Sequence, residues 1–598
     1  MIEDKFKVLI DRYNKEIQLY KKSYDNIGYL RLIVMIGAIY FIYRIVKGYG
    51  GNENLYGMLF LLAFFIGLVI YHNKIKEKIE IAESMIQINK RYLERISGQW
   101  INFKDIGEEF IDKNHAYSSD LDIVGTHSLF QLINITSTWK GRRKLAKDLL
   151  NPDYDKDEIL LRQSAINELY NKLELCESME YEGIRKKTVI ENPEKFLSYI
   201  SDKNSFIKSK ALKKLLYVLP MITIPISIII IVFKIKKLSW LITIFLVLQI
   251  IAWAVGLLKI NRVFELVIYF KTSLEQYFNI LKLLEKQEFK SEKLVEIKNR
   301  LFKGNSESIK AIKQLSGIVD KIDIRSNGLF FIILNVVFLW DYQCILSIEK
   351  WKESYAQNIE QWLDDIGEIE ALMSLSVLNH INETTVFPEI SDDTIILGEG
   401  VGHQLIGRDV RVTNNIDMND NIFIITGSNM SGKTTFLRTI GINLVVAYCG
   451  GAVCAEYMKC SMFKICTSMR ITDDLKAGIS TFYGELIRIK KIIEESRKNE
   501  KMIFLIDEIF RGTNSRDRID GAHAVIRNLN IHNVVGALTT HDMELCSMTD
   551  VRIKNYHFKE YYKDNKIYFD YKLRDGKSTT TNAKYLMKIV GIDFCDKV

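Results

Sequence analysis

The chain has 598 residues, room for about three or four domains, and its 26% of charged residues excludes a protein wholly embedded in a membrane. A net charge of +8 suits nucleic acid or an anionic membrane surface, but lysines flanking membrane spans give the same excess, so charge alone decides nothing. Only five prolines occur, which predicts a helix-rich protein, and the eight cysteines form no Cys-x-x-Cys pair and have no histidines at metal spacing, so they read as reduced cytosolic thiols rather than a zinc site or a disulfide framework.

The first elements along the chain are apolar. Residues 32 to 46 and 55 to 71 are near the minimum length for crossing a bilayer, with Arg31 and Arg44 placed to snorkel, and they predict a transmembrane hairpin. A second pair, 215 to 233 and 238 to 258, is stronger: Pro220 and Pro225 are kinks that lipid tolerates, and only Lys234-Ile-Lys-Lys237 separates the two runs. Buried soluble helix pairs are the rival reading of both. Lys21, Lys22 and Arg31 precede the first span, Lys74, Lys76 and Lys78 follow the second, Lys208 to Lys214 precede the third, and Lys259 and Arg262 follow the fourth. This bias predicts an integral protein of the cell membrane whose termini and central region are cytoplasmic; the three lysines between the third and fourth spans run against it locally.

Between the spans, Ile75, Ile79, Met85, Ile86, Tyr92, Leu93 and Ile96 recur at helical spacing, and residues 262 to 300 again mix apolar positions with Glu and Lys. Such stripes are packing faces and carry no ligand. A fifth apolar run, Leu329 to Trp340, is about a dozen residues long, holds Asn335, ends at Asp341 and predicts a buried helix, with membrane contact as the alternative. The basic stretch Lys140 to Lys147 offers either phosphate contacts or a solvated helix face. From about residue 395 the texture changes to short strands and glycine turns, which puts a domain boundary between 370 and 395.

The chemistry lies beyond that boundary. Gly427-Ser428-Asn429-Met430-Ser431-Gly432-Lys433-Thr434-Thr435 follows an apolar strand and precedes a helix, which is a complete phosphate-binding loop in context. The glycines let backbone N–H groups turn inward at a helix N-terminus, Lys433 reaches β/γ-phosphates, and the Thr434 hydroxyl is a Mg²⁺ ligand. Downstream, Lys501-Met-Ile-Phe-Leu-Ile-Asp507-Glu508 is a strand ending in two carboxylates: Asp507 is placed to hold Mg²⁺ and Glu508 to orient an attacking water. Next come Arg511-Gly-Thr-Asn-Ser-Arg-Asp517, a β-run from Asn533 to Thr539, and then Thr540-His541; a histidine there reaches a γ-phosphate as donor or sensor.

Together with Asp473-Asp-Leu-Lys-Ala-Gly-Ile-Ser-Thr-Phe482 and Glu485, these motifs resemble, in order and spacing, the ATPase domain of the MutS family of DNA mismatch repair proteins. The likeness runs from about Gly398 to Gly591 and includes Gly402-His403, where the family usually has proline at the position of Gln404. A weaker one covers Asp120 to Asn134, then Gly141-Arg-Arg143 and Asn151-Pro152, similar to the start of the family's helical core. The resemblance implies ATP with Mg²⁺ and a head-to-tail homodimer with two composite sites, Ser480 to Phe482 of one subunit closing over the nucleotide of the other, and Arg511 to Asn514 lining the same interface. Nothing here corresponds to the mismatch-reading and connector domains, and the N-terminus holds no Phe-x-Glu wedge; about 28 residues and a hairpin stand in their place, and the second hairpin interrupts the region where repair proteins carry their DNA clamp. The best match is therefore a membrane-anchored, MutS-related branch of the family.

The expected architecture is multidomain α plus α/β: transmembrane helical hairpins, a helical core or lever domain, and a C-terminal P-loop ATPase domain of the ABC type with a mainly parallel sheet. The expected segments are an N-terminal cytosolic helix (1–28), the first hairpin (29–72), a first stretch of helical core (73–210), the second hairpin (211–260), a second stretch of core with the lever (261–394) and the ATPase domain (395–598). The expected activity is ATP hydrolysis that moves the levers, with any double-stranded DNA held non-specifically through phosphates. An ABC-type transporter is the alternative, against which no Leu-Ser-Gly-Gly-Gln segment exists and no charge lies mid-span in the second hairpin. A scaffold that binds ATP without turnover is a further one, against which Lys433, Asp507, Glu508 and His541 are all present.

Overall fold

The computed structural model describes residues 2–578 apart from 153, 186–190, 203, 205, 208, 471–480, 499, 511–513, 564 and 565. Among the described residues thirteen α-helices precede the first strand: α1 (Ile2–Val46), α2 (Asn52–Ile96), α3 (Leu129–Ile133), α4 (Trp139–Leu150), α5 (Lys156–Asn171), α6 (Leu173–Ile184), α7 (Glu194–Ser201), α8 (Lys210–Val232), α9 (Ser239–Tyr269), α10 (Lys271–Glu285), α11 (Glu292–Asp323), α12 (Gly328–Phe338) and α13 (Trp340–Ile381). The rest alternates: β1 (Glu389–Ser391), β2 (Ile395–Val401), β3 (Asn414–Asn419), β4 (Ile422–Thr426), α14 (Lys433–Tyr448), β5 (Tyr457–Ser461), β6 (Lys464–Ser468), α15 (Thr481–Ser496), β7 (Met502–Asp507), α16 (Ser515–Leu529), β8 (Val534–Thr540), β9 (Ile553–Lys563) and β10 (Lys566–Asp575). The chain divides into two compact units, Met1–Asn134 with Ala146–Asn171 and Ser374–Val598, and Ile135–Leu145 with Lys172–Met373.

In the first unit, α1 and α2 are each 45 residues long, so each apolar run and the amphipathic stretch beside it form one unbroken helix. The hairpin turns on Gly48 and Gly50, whose φ of 72° and 86° side chains resist. Away from the apolar runs the two helices knit through Ile17, Ala82 and Ile86 with Ile10 and Tyr13, and Phe6 stacks on Tyr92 with ring centroids 4.7 Å apart. The same unit holds a six-stranded sheet in the order β10-β9-β4-β8-β7-β6, parallel except for β10, and a four-stranded sheet in the order β1-β5-β2-β3. Strands β4, β7 and β8 are buried along their whole length, as continuous apolar runs in a covered parallel sheet must be.

The second unit is helical. Helices α8 and α9 form the second hairpin, and two internal prolines are accommodated in α8. Pro220 frees the carbonyl of Leu216, and Gln343 Nε2 donates to that oxygen at 3.1 Å; Gln249 Nε2 donates to the Thr223 hydroxyl across the hairpin at 3.1 Å. A buried knot fixes the start of α4: both carboxylate oxygens of Glu370 accept from the backbone N–H and hydroxyl groups of Ser137 and Thr138. Gly141 is required beside it, since a Cβ there would lie 2.0 Å from Glu370 Oε2.

Among the described residues four helices, α1, α2, α8 and α9, are long and apolar enough to cross a membrane, and α12 with α13 makes a fifth only if that bent pair is one span. The fifth run differs from expectation. Helix α12 is not a buried helix: Phe330, Ile332 and Ile333 are each more than half exposed, while Asn335 is fully buried, so the polar residue that argued for a soluble core is the one facing protein. The basic stretch also has a definite setting: Lys140 Nζ pairs with Asp364 at 2.8 Å, and Arg143 pairs with Glu194.

Candidate nucleotide site

The sheet order places the chemistry. Strand β8 lies between β4 and β7, with Thr426 opposite Thr540 and Thr539 opposite Asp507, so three strands deliver their C-terminal ends to one edge. The phosphate loop continues from β4. Gly427 and Gly432 sit at φ 150° and 106°, and a Cβ on Gly432 would come within 3.1 Å of the Tyr571 ring. Met430 also has a positive φ, 67°, and is exposed at the loop tip. Lys433 opens α14, is almost fully buried, and its Nζ donates to the carbonyls of Gly427 (2.9 Å) and Ser428 (2.8 Å), which holds it in the concavity of the loop.

The carboxylates lie across from it. Thr434 Oγ1 donates to Asp507 Oδ2 at 2.8 Å, and Thr539 Oγ1 donates to Asp507 Oδ1 at 2.6 Å. Glu508 has φ 51°, an unfavourable conformation for a non-glycine residue, and its N–H is held by the carbonyl (3.2 Å) and hydroxyl (3.0 Å) of Thr539. That turn aims its carboxylate at His541, whose Nε2 lies 3.0 Å from Glu508 Oε1 and 2.8 Å from Asn429 Oδ1. Thus Lys433, Thr434, Asp507, Glu508, His541 and Asn429 converge. Ser480 and Arg511 lie outside the described residues.

Two further features fit a nucleotide. A cleft of about 480 Å³ runs from the loop past Phe558 and Tyr571 to an apolar wall of Val401, Ile406 and Val410, a size and polarity gradient suited to a base and its phosphates. For a divalent ion, the described residues gather no group of three or more His, Cys, Asp or Glu, which rules out an all-protein cage among them. A threonine hydroxyl beside one carboxylate is instead the donor set that Mg²⁺ completes with phosphate oxygens and water. The residues fit the ion.

The structure adds supports that the motifs did not reveal. Thr539 holds both Asp507 and the Glu508 turn, and the only signal for it was its place just before Thr540-His541. Buried Glu485 on α15 accepts the Phe510 N–H, and the Phe482 and Phe510 rings meet edge to face, so α15 is tied to the loop that follows Glu508. The segment 120–134 braces the domain directly: Asp120 accepts from Thr467 Oγ1 and the N–H groups of Met469 and Arg470, and Asp122 pairs with Arg438 of α14 and with Arg470. Gln404, where the resemblance leads one to expect proline, is buried and satisfied, its Nε2 donating to Asn443 Oδ1 at 3.1 Å. Beside it, His403 is held neutral because burial, reinforced by Arg438 and Arg411, pushes its imidazole down to about 3.

Comparison with known proteins bears on this domain. Residues 423–593 match the model of MutS domain V. Its nucleotide domain is similar to domain V of the MutS family. The chain is 30% identical over 264 residues to the DNA mismatch repair protein MutS of Streptococcus uberis, covering 42% of this chain and 31% of that protein. It is 29% identical over the same length to the DNA mismatch repair protein MutS of Streptococcus pyogenes serotype M49, covering 30% of that protein. The chain thus spans about a third of the length of the curated relatives it matches. The stretch matching MutS domain V begins within β4, one residue inside its start, and contains the loop, both carboxylates and His541.

Proposed function

We propose that this protein is a membrane-anchored, MutS-like ATPase, an integral protein of the cell membrane, that binds and hydrolyses ATP with Mg²⁺ at composite sites of a homodimer and uses closure around the nucleotide to move its helical levers. The observation that carries the reading is the convergence of Lys433, Thr434, Asp507, Glu508 and His541 at one sheet edge, in a domain of MutS type.

In this reading the loop amides from Gly427 to Thr435 wrap the phosphates, and Lys433 exchanges its two loop carbonyls for β/γ-oxygens without leaving its place. Bound Mg²⁺, held by Thr434 and, directly or through water, by Asp507, supplies charge neutralisation at the phosphates. Glu508 accepts a proton from the water that attacks the γ-phosphorus as the bond to the ADP oxygen breaks; His541, sharing its Nε2 between Glu508 and Asn429, fixes the carboxylate and senses the γ-phosphate. Ser480 of the partner subunit closes the site, which explains why a loop open on one side retains a full set of hydrolytic groups. Any duplex DNA is held through phosphates without regard to mismatches, and by basic groups other than Lys140 and Arg143, which already face carboxylates in their own fold.

Phosphate release by the purified protein in lipid is the test. Turnover that requires Mg²⁺ and is lost in Lys433→Ala supports the reading; turnover unchanged in that variant removes the loop from the mechanism. Mixing Lys433→Ala chains with Ser480→Ala chains restores part of the activity if the site is composite, and leaves it absent after verified exchange if each chain builds its own.

A further inference from the structure

Helix α12 presents an apolar surface that its own fold does not cover. Phe330 and Ile332 are each 55% exposed, Ile333 53% and Phe338 40%, and the exposed positions span most of the helix circumference. Only the side carrying Asn335 faces protein. In water such a surface costs about 25 cal/mol for each Å², so it calls for a cover.

The geometry restricts what the cover is. Eleven residues give about 16 Å of helix, roughly half a hydrocarbon core, so α12 by itself does not cross a bilayer, and α13 bends away from it by 74° rather than continuing the line. The excursion also returns to its starting point: Trp340 Nε1, just after α12, donates to the carbonyl of Lys321, seven residues before it, at 2.9 Å. Both ends meet α9 at one level. The Phe331 ring packs edge to face on Trp253, and Tyr342 donates its hydroxyl to Ala252 at 3.0 Å. That level is the end of α9 approaching Lys259 and Arg262, where Val255 (78%) and Leu258 (76%) are themselves exposed, so the apolar surface of α12 continues that of the hairpin.

The backbone N–H groups of the break find partners inward, as non-helical backbone at membrane depth requires. Leu339, at φ 48°, is buried; Asn335 Oδ1 accepts the Asp341 N–H at 3.0 Å, and Asn335 Nδ2 donates to Phe331. Arg325 donates to Asn261 at 2.7 Å, lies 3.6 Å from Asp341, and covers the Phe264 and Phe331 rings. A basic residue before the helix and a tryptophan after it are the side chains that sit at a headgroup boundary.

We propose that α12 is a re-entrant lipid-binding element, seated among the acyl chains of the cytoplasmic leaflet beside the second hairpin, with Arg325 and Trp340 at the headgroup boundary. This rests on the reading of α8 and α9 as a spanning hairpin, and the test separates the two. An environment-sensitive fluorophore is attached to Phe330→Cys, Ile333→Cys, Ile222→Cys (mid-span on α8) or Gln357→Cys (exposed on α13) of the full chain in phosphatidylcholine and phosphatidylglycerol vesicles, in a Cys595→Ser background; the seven other cysteines are buried. The expected result is roughly twofold quenching at residues 330 and 333 by lipid carrying a nitroxide near the headgroup, stronger than by lipid carrying it near the chain end, the reverse order at 222, and none at 357. Quenching at 222 with none at 330 and 333, or with labelling of those two by a membrane-impermeant maleimide at the rate of 357, overturns the proposal and leaves the hairpin standing, as does capture of the α12 face by a second protein in place of lipid. Deepest quenching at 330 and 333 by the chain-end nitroxide also overturns it. No quenching at 222 means that the hairpin reading itself has failed.

Discussion

Strands β4, β7 and β8 and helices α8 and α9 are written in almost the same alphabet of Ile, Val, Leu and Phe, yet they meet opposite surroundings. The three strands are buried at every residue, whereas the most apolar windows of α8 and α9 are 22% and 11% buried, and those of α1 and α2 are 11% and 6%. Apolarity therefore does not mark a core by itself. A strand hands its hydrogen bonds to neighbours and must be covered on both faces, while a helix satisfies its own backbone and can present every side chain to lipid.

The sharpest way to break this comparison is to make the same truncation on both sides of it. Ile424→Ala in β4 removes methyl groups from a close-packed sheet and is expected to cost about 4 kcal/mol, with nucleotide binding weakened because the loop starts three residues later. Ile222→Ala on the exposed side of α8 is expected to cost less than about 1 kcal/mol in a bilayer, since lipid fills the space. Chemical denaturation in lipid and in detergent reads both; equal losses would mean that α8 packs against protein.

Glu370 carries the comparison to polar groups. Burial raises its carboxyl above the usual range, opposed by the four donors of Ser137 and Thr138. Glu370→Ala leaves those donors without their acceptor in the helical unit and should destabilise by about 3 kcal/mol, while Glu370→Gln, which keeps one acceptor, should cost less. Thermal denaturation of the two variants distinguishes them, and equal losses would show that the knot is held by shape alone.

The smallest effect is in pH. His403 and His380 are both neutral in the fold, each pushed down to about 3 by burial. Below about 6.5 the unfolded chain binds protons that the folded chain refuses, so stability falls as pH drops from about 6.5 toward 3, and is at its full value above that window. His403→Gln should remove one proton from that uptake and flatten the slope of stability against pH between 6 and 4 by about half of what these two histidines contribute. An unchanged slope would mean that His403 titrates freely in the fold.

The nucleotide site was legible because its chemistry is local: a glycine-rich loop must lie between strand and helix, and a strand ending in Asp507-Glu508 must deliver both to one sheet edge. Its supports were not. Thr539 and Glu485 act through contacts across 32 and 25 residues, and Asp120 and Asp122 reach β6 and α14 from more than 300 residues away, separations that no periodicity encodes. The hairpins were legible from length and composition, whereas α12 was misread because Asn335 and Asp341 argue for a soluble core only until the side they face is known. The partner-facing residues Ser480 and Arg511 lie outside the described residues.

The most direct measurement is ATP turnover and nucleotide binding by Glu508→Gln in reconstituted vesicles. The variant keeps Lys433, Thr434 and Asp507 and loses only the carboxylate that turns toward His541, so ATP binding should stay within about twofold of the native protein while hydrolysis falls at least roughly tenfold. Hydrolysis at the native rate with binding intact would contradict the account, for it would leave the strained turn at Glu508 without a role in the reaction.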